Sequence, residues 1–310
     1  MSAPFDLPQL DDVVALALAE DLGVSPARFS RGVRAAEPAE APLLLQDVTT
    51  AAVLPREARF AGRVVAREAC VACGLPVLAR VYEMLTDAAG VEPVEVFPLV
   101  AEGADVSAGE PVAEVSGEAR AVLAGERVAL DFLMVLSGIA TAARRWQEAA
   151  GEGVAVCDTR KTYPGLRALS KYAVRIGGGT NHRQGLWDML LVKDNHIAAA
   201  GSLARAVELA REAHPDLALE VEADTPAQAA EACREGADIV LLDNMDDATL
   251  AEAVARVREA AGERGRPCLT EASGGVGFER LAAIAAAGVD RVSSSALTLA
   301  PPADFGLDEG

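Results

Sequence analysis

Apolar and polar positions follow two different rhythms along this chain, and the change near residue 154 divides it. From there on, short apolar runs of strand length alternate with amphipathic stretches of helix length. The runs are VAVC (154–157), MLLV (189–192), LALEV (217–221), DIVLL (238–242), a weaker PCLTEA (267–272) and RVSS (291–294). Such spacing predicts a parallel βα series. Before residue 154 the pattern is mixed. Residues 6–22 carry apolar positions at helical spacing and stop at Gly23, and Leu75–Ala89 reads as a second helix. Alternation over Ala58–Val71 and Val94–Val115 predicts strands, with Gly103, Gly109 and Pro111 marking turns. Glu126–Ser137 and Ile139–Ala150 read as two helices broken at Gly138, and Asp47–Thr50 as a return to order. Residues 23–46, rich in Ala, Pro, Arg and Glu without a period, read as an exposed insertion or mobile loop.

The residue just past each late strand is polar: Asp158, Lys193, Glu222, Asp243, Ser273 and Ser294. In a parallel α/β barrel the C-terminal strand ends carry the site, so these six are expected to converge on one mouth. A doubly wound sheet would also gather strand ends at one edge, but no GxGxxG follows an early strand. Ser273-Gly274-Gly275 precedes a helix expected near Gly277, and Ser293–Ser295 follows the last strand. Loops in these places bind phosphate through backbone N–H groups.

Charge sharpens this picture. The chain of 310 residues is acidic, with a net charge of -19, yet Cys157–Ile197 gathers Arg160, Lys161, Arg167, Lys171, Arg175, Arg183 and Lys193. Every lysine of the chain (161, 171 and 193) falls in this stretch, with His182, His196 and the run GGGTNHR. Lysine is a point charge and arginine a planar fork, so keeping both together suits a ligand with more than one kind of anionic group. An acidic shell around a basic site excludes a nucleic-acid surface or an anionic membrane face and suits a small anion. The longest uncharged apolar run, Phe132–Ala143, is too short to span a bilayer, and MSAPFDLPQLDD lacks the pattern of a signal peptide, so a cytoplasmic location is expected.

Five scattered cysteines read as reduced thiols, and the CxxC of Cys70 and Cys73, in an apolar run without a second pair, reads as packing. The glycine-punctuated segment 94–115 is unlike a lipoyl or biotinyl carrier, because no lysine precedes Lys161. Glu222 and Asp243 suit ribose hydroxyls or a hydrated Mg²⁺. Lys193 at a strand end could in principle form a Schiff base.

The stretch DTRKTYPGLRALSKYAVRIGGGTNHRQGLWDMLLVKDNHI resembles the signature of the quinolinate phosphoribosyltransferase family. The likeness continues through EVE (220–222), LLDNM (241–245), EASGG (271–275) and GVD (288–290). Upstream it includes VVARE (64–68), ERVALDFL (126–133) and LSGIATAAR (136–144), so it covers about residues 47–300. The resemblance implies an α/β fold with an N-terminal α/β sandwich (1–137, with a tail of 297–310 packing back on it). An open parallel α/β barrel of the type II phosphoribosyltransferase kind (138–296) completes it.

The same resemblance implies the joining of quinolinate to phosphoribosyl pyrophosphate, with loss of pyrophosphate and CO₂, to give nicotinate mononucleotide. It places Arg160, His182, Arg183 and Lys193 on the quinolinate carboxylates. Arg127 would come from the neighbouring subunit of at least a homodimer. Thr159, Lys161, Lys193, Glu222 and Asp243 would line the phosphoribosyl pyrophosphate, with Lys161, Glu222 and Asp243 as the catalytic set. Glu222 and Asp243 would hold Mg²⁺, directly or through water. Ser273, Gly274, Gly275, Ser294, Ser295 and Ala296 would form the 5′-phosphate end. The chain departs from the family pattern at Ser295, where glycine is usual, at Leu299, where histidine is usual, and at Tyr163, where a smaller residue is common. Two other readings share parts of the pattern. One is a related family associated with molybdenum-transport operons, which the intact GGGTNHR, KDNH and EVE disfavour; the other is an anion-binding protein that kept the fold without the activity.

Overall fold

The structure is a computed structural model that describes residues 7, 9–29 and 42–310. In its first half the chain forms α1 (Leu10–Leu22), α2 (Val48–Val53), β1 (Arg59–Ala66), β2 (Cys70–Val71) and α3 (Leu75–Ala89). Then follow β3 (Glu95–Pro98), β4 (Asp105–Val106), β5 (Pro111–Glu118) and α4 (Ala119–Ala150). The second half forms β6 (Ala155–Cys157), α5 (Arg167–Ile176), β7 (Leu190–Val192), α6 (Asp194–Ala200), α7 (Leu203–Ala213) and β8 (Leu219–Ala223). It ends with α8 (Pro226–Glu235), β9 (Ile239–Asp243), α9 (Asp247–Arg264), β10 (Leu269–Ser273), α10 (Leu281–Ala286), β11 (Arg291–Ser293) and β12 (Phe305–Glu309).

These elements divide into two compact units. The first comprises Met1–Thr141, Tyr163–Gly177 and Ala300–Gly310. Its main sheet has four strands in the order β12-β1-β5-β3, all antiparallel, so the last strand of the chain pairs with the first, Val64 opposite Leu307. Helix α1 ends where Gly23 takes a left-handed φ of 63°, which leaves its N–H free to donate to Ala19. A two-pronged contact ties α1 to α3: Arg80 donates from Nε and Nη2 to both oxygens of Asp11, each at 2.8 Å. Glu102 caps the start of α3 by accepting from the N–H groups of Gly74 and Leu75, and it also accepts from the hydroxyl of Tyr172 on α5 at 2.8 Å.

Two expectations change here. The helix broken at Gly138 is a single helix of 32 residues, α4. Glycine stands there because the C-terminal segment crosses it: a Cβ at Gly138 would collide with the carbonyl oxygen of Pro301 and lie 3.0 Å from Cα of Pro302. The proposed loop 23–46 also holds local order at both ends. Short 3₁₀ turns cover Pro26–Phe29 and Leu43–Leu45, and Phe29 and Leu43 are buried, because apolar side chains at the two flanks find core to pack on. Residues 30–41 lie outside the described residues.

The second unit comprises Ala142–Thr162 and Gly178–Leu299. Its sheet has six parallel strands in the order β6-β11-β10-β9-β8-β7. The first strand pairs with the last, which is how a barrel closes; the remaining seam lies between β6 and β7, where one bridge joins Cys157 to Thr180. Helices follow most strands with ordinary stops and starts. Thr225 caps α8 by accepting from Gln228 N–H, Asp246 caps α9 by accepting from Thr249 N–H, and Gly236 and Gly265 end those helices in left-handed conformations.

Candidate active site

Register decides what the barrel strands show to its interior. Side chains alternate across a strand, so residues two apart share a face. On β8 that pairs Glu220 with Glu222, on β9 Leu241 with Asp243, on β10 Glu271 with Ser273, and on β11 Arg291 with Ser293. Ser273 stands beside Asp243 in the β9–β10 register. The members nearer the C-terminal ends make an outer row, Glu222, Asp243, Ser273 and Ser293, and their partners a deeper one.

The outer row contains the mouth anticipated from the sequence. Lys193, immediately after β7, pairs with Glu222 of the neighbouring β8; the lysine side chain keeps 42% of its exposure and the glutamate 13%. Asp243 accepts from the side chain of Asn244 at 2.6 Å. Gly274 and Gly275 follow β10 with φ of 79° and 57°, a pair of left-handed residues that turns backbone N–H groups into a small concavity. Ser293 donates to Ser273 at 3.1 Å, and Ser294 donates to the carbonyl of Val276 at 3.3 Å while accepting from Ala296 N–H at 3.3 Å. Ser295 uses its carbonyl to accept from Leu299 N–H and Thr298 Oγ1. Thr298, without solvent exposure, also donates to the carbonyl of Lys161 at 2.7 Å. That bond ties the turn after β6, with Thr159, Arg160 and Lys161, to the turn after β11. Thr159 stabilises its own turn by accepting from Lys161 N–H at 3.0 Å.

Arg183 is partly buried, and burial together with the charge of Arg160 lowers its guanidinium below the ordinary value. Arg160 and Arg183 are thus two partly buried cations close enough to repel each other, with Glu220 and Asp188 offsetting part of the charge on Arg183. Next to them, Asp188 fixes the loop by accepting from the N–H groups of Gln184 and Gly185. That loop leaves Leu186 and Trp187 each 71% exposed.

Two of the anticipated residues sit differently. Asp158 has no solvent exposure; its carboxylate accepts from Asn181 Nδ2 at 2.5 Å and from His182 N–H at 3.0 Å. It holds the TNHR segment in place instead of facing the mouth, because the β6–Thr180 bridge brings Asn181 directly over it. His182 points into the deeper row. Its Nε2 lies 2.8 Å from Glu220 and 3.4 Å from Glu271, both fully buried, and its Nδ1 accepts from Arg183 N–H at 2.8 Å. Arg127 belongs to the other unit. It is exposed on α4, pairs with Asp131 at 3.2 Å, and lines an apolar cavity of about 400 Å³ with Leu16, Val128, Phe132 and Leu166. Lys171 is in that unit as well and is buried at 1% exposure.

The deeper row is what sequence reasoning missed. Glu220, Glu271, Arg291 and His182 make an ionic layer beneath the mouth, with Arg291 Nε 3.0 Å from Glu271 and 3.4 Å from Cys157 Sγ. Burial, with the charge of Glu220 added, raises Glu271 above the ordinary carboxylate value. Burial opposes protonation of His182, but the hydrogen bond it donates to Glu220 and the charges of both glutamates outweigh it and raise the imidazole too. Both shifts favour a proton within the cluster. Since Arg183 N–H occupies Nδ1, a second proton on the ring is disfavoured, and Glu271 is the better host. With Glu271 neutral, Glu220 and Arg291 cancel and the layer closes without net charge. Burial also raises the Cys157 thiol to about 12 despite Arg291, so it is a neutral acceptor. His182, Glu220 and Glu271 have the donor types of a metal site, within 4.8 Å of one another, but Arg291 already supplies the positive charge that an ion would bring. The signal was present in EVE, TEAS and RVS: a charged residue two places before Glu222, Ser273 and Ser293, on the same face.

Two family models match the chain: "Quinolinate phosphoribosyl transferase, N-terminal domain" over residues 47–137 and the corresponding C-terminal domain over 139–308. It is 44% identical over 253 residues to a probable nicotinate-nucleotide pyrophosphorylase [carboxylating] of Synechocystis sp., covering 80% of this chain and 82% of that one. It is 41% identical over 264 residues to the nicotinate-nucleotide pyrophosphorylase [carboxylating] of Mycobacterium leprae, covering 84% and 90%. Among solved structures, NadC from Streptococcus pyogenes superposes with a TM-score of 0.83 at 34% identity, covering 99% of this chain and 97% of that one. The nicotinate-nucleotide pyrophosphorylase from Francisella tularensis does so at 0.82 and 30%, covering 98% of each.

Proposed function

The chain belongs to the quinolinate phosphoribosyltransferase family, and from that premise we infer how its own residues carry the reaction. The activity is transfer of phosphoribosyl from phosphoribosyl pyrophosphate to quinolinate with decarboxylation, which yields nicotinate mononucleotide for NAD biosynthesis. What carries the assignment of roles is the gathering of Lys193, Glu222, Asp243 and the Gly274–Gly275 turn along one edge of a parallel sheet, with Arg160 and Arg183 beside them.

Quinolinate is a dianion. Forked donors from Arg160 and Arg183 fix the planes of its carboxylates, while Lys193 adds a point charge, and the ring nitrogen is thereby aimed at C1 of the ribose, with Lys161 lining the phosphoribosyl pyrophosphate. Thr159 supports the turn that carries Arg160 and Lys161, and His182, held in the deeper layer by Glu220, braces the wall from beneath by accepting from Arg183 N–H. The 5′-phosphate is taken by backbone N–H groups of Gly274 and Gly275 with Ser273, Ser294, Ser295 and Ala296. As the nitrogen bonds to C1, the bond from C1 to the pyrophosphate oxygen breaks and the pyrophosphate leaves with the electron pair. Positive charge that develops on the ribose is stabilised by Glu222 and Asp243. The ring nitrogen is then cationic and draws in the electron pair left when the adjacent carboxylate departs as CO₂; the ring carbon takes a proton from water. No general base is required, so positioning and electrostatics supply most of the rate.

Glu222 and Asp243 are hard oxygen donors with partial access to water, which suits Mg²⁺, an ion that keeps several waters and shares its shell with substrate phosphates. Bound there, the ion offsets the negative charge of the leaving pyrophosphate. We also propose a homodimer in which Arg127 reaches the partner's quinolinate site. The apolar cavity around Arg127 and the 58% exposure of Leu16 beside it favour a second copy as its cover. Among the described residues, no helix is long and apolar enough to cross a membrane.

The reading is tested by incubating the purified protein with quinolinate, phosphoribosyl pyrophosphate and Mg²⁺ and measuring nicotinate mononucleotide. Saturable formation of the nucleotide supports it; binding of quinolinate without product overturns the catalytic roles.

A further inference from the structure

We propose that Asn244 is a positioning residue for this site. Its side chain clamps the Asp243 carboxylate and at the same time sets the distance between the end of β9 and the Gly274–Gly275 turn. This rests on the roles given above to Asp243 and the turn.

Asn244 has a φ of 53° and is one of two non-glycine residues with positive φ among the described residues. The turn itself has a plain cause. The next residue, Met245, returns to the core at 6% exposure, and Asp246 then caps α9. Glycine would adopt this backbone with less strain than asparagine. Retaining a side chain there calls for a use of the side chain, and two contacts give one. Nδ2 donates to Asp243 Oδ2 at 2.6 Å. Oδ1 stands so close to Gly274 that a Cβ there would lie 2.5 Å from it and 2.7 Å from Asp243 Oδ1. The backbone closes the same triangle, since Asn244 N–H donates to the carbonyl of Ser273 at 3.0 Å.

Asp243, Asn244 and Gly274 therefore interlock. Asn244 is solvent-exposed, and an exposed hydrogen bond adds little to stability. Its effect falls on geometry. An unclamped Asp243 carboxylate would rotate about two bonds, and the turn that takes the 5′-phosphate would lose its spacer. Both changes act on the phosphoribosyl pyrophosphate side and leave the Arg160 and Arg183 wall untouched.

The test is Asn244→Gly, with Asn244→Asp as a second variant, in steady-state kinetics that vary each substrate separately, alongside thermal unfolding. Asn244→Gly keeps the backbone and removes the clamp. We expect a Tm equal to or above that of the parent, a fall in kcat/KM for phosphoribosyl pyrophosphate of roughly 10- to 100-fold, and a KM for quinolinate within about threefold. Asn244→Asp keeps the shape but sets a carboxylate against Asp243, and should lose at least as much. Parental kcat/KM in Asn244→Gly, or an equal loss toward both substrates, overturns the proposal. Turnover by the parent in the same assay keeps that failure distinct from a failure of the functional reading.

Discussion

Arg291 Nε stands 3.0 Å from Oε2 of Glu271, a carboxylate with no solvent exposure, inside the barrel and one layer beneath the mouth. Removing one member of such a buried pair strands the other's charge. Arg291→Ala should lower stability by about 3–5 kcal/mol, read from urea unfolding. Glu271→Gln, which resembles the protonated acid, should cost far less. The pH dependence carries the sign. Glu271 is raised above its ordinary 4.5, so above that value the native state binds more protons than the unfolded one. Stability from this group is complete at lower pH and is lost as pH rises through the raised value. Glu271→Gln should flatten the decline that sets in above pH 4.5; an unchanged slope would remove Glu271 as the proton's host.

Lys161 is exposed, and Glu222 makes its ion pair at the open end of the barrel, so neither is a major prop of the fold. Lys161→Ala and Glu222→Ala should each reduce kcat by roughly 100-fold or more, with Lys161→Ala shifting unfolding by no more than about 0.5 kcal/mol. Normal turnover at unchanged stability would refute the roles given to them.

A site completed across an interface can be rebuilt from two defective chains. Arg127→Ala and Lys161→Ala should each be nearly inactive, while a mixture after subunit exchange should recover about a quarter of parental activity, because half the dimers carry one intact site. No recovery, with hybrid dimers demonstrated, would place Arg127 outside the neighbouring site.

Gly138 offers a test far from the chemistry. Alanine is the better helix former, yet Gly138→Ala must push against the carbonyl of Pro301. The variant should lose about 1–3 kcal/mol, measured by thermal unfolding; a gain would mean that the segment after Ala300 yields easily.

The same glycine shows where sequence reading stops. Within a local window Gly138 reads as a helix breaker, and only the contact from residue 301 explains why glycine stands inside an unbroken α4. Strands β6 to β11 were legible because parallel neighbours need apolar runs separated by helices, and Lys193, Glu222 and Asp243 followed from their places at strand ends. Asp158 occupied the same position by count, but the Thr180 bridge covers it with Asn181 and converts it into a brace. Glu220, Glu271 and Arg291 are not legible in the same way, because they lie inside apolar runs and only the pairing of the strands brings them together with His182 in one layer. That 163–177 would join the first unit depends on contacts such as Tyr172 to Glu102, which no local pattern encodes.

The most direct measurement is CO₂ release from carboxyl-labelled quinolinate, with phosphoribosyl pyrophosphate, quinolinate and Mg²⁺ omitted in turn. The account predicts labelled CO₂ only when all three are present, in step with nicotinate mononucleotide. Release without phosphoribosyl pyrophosphate would contradict the order of steps, and no release from folded, dimeric protein would contradict the function itself.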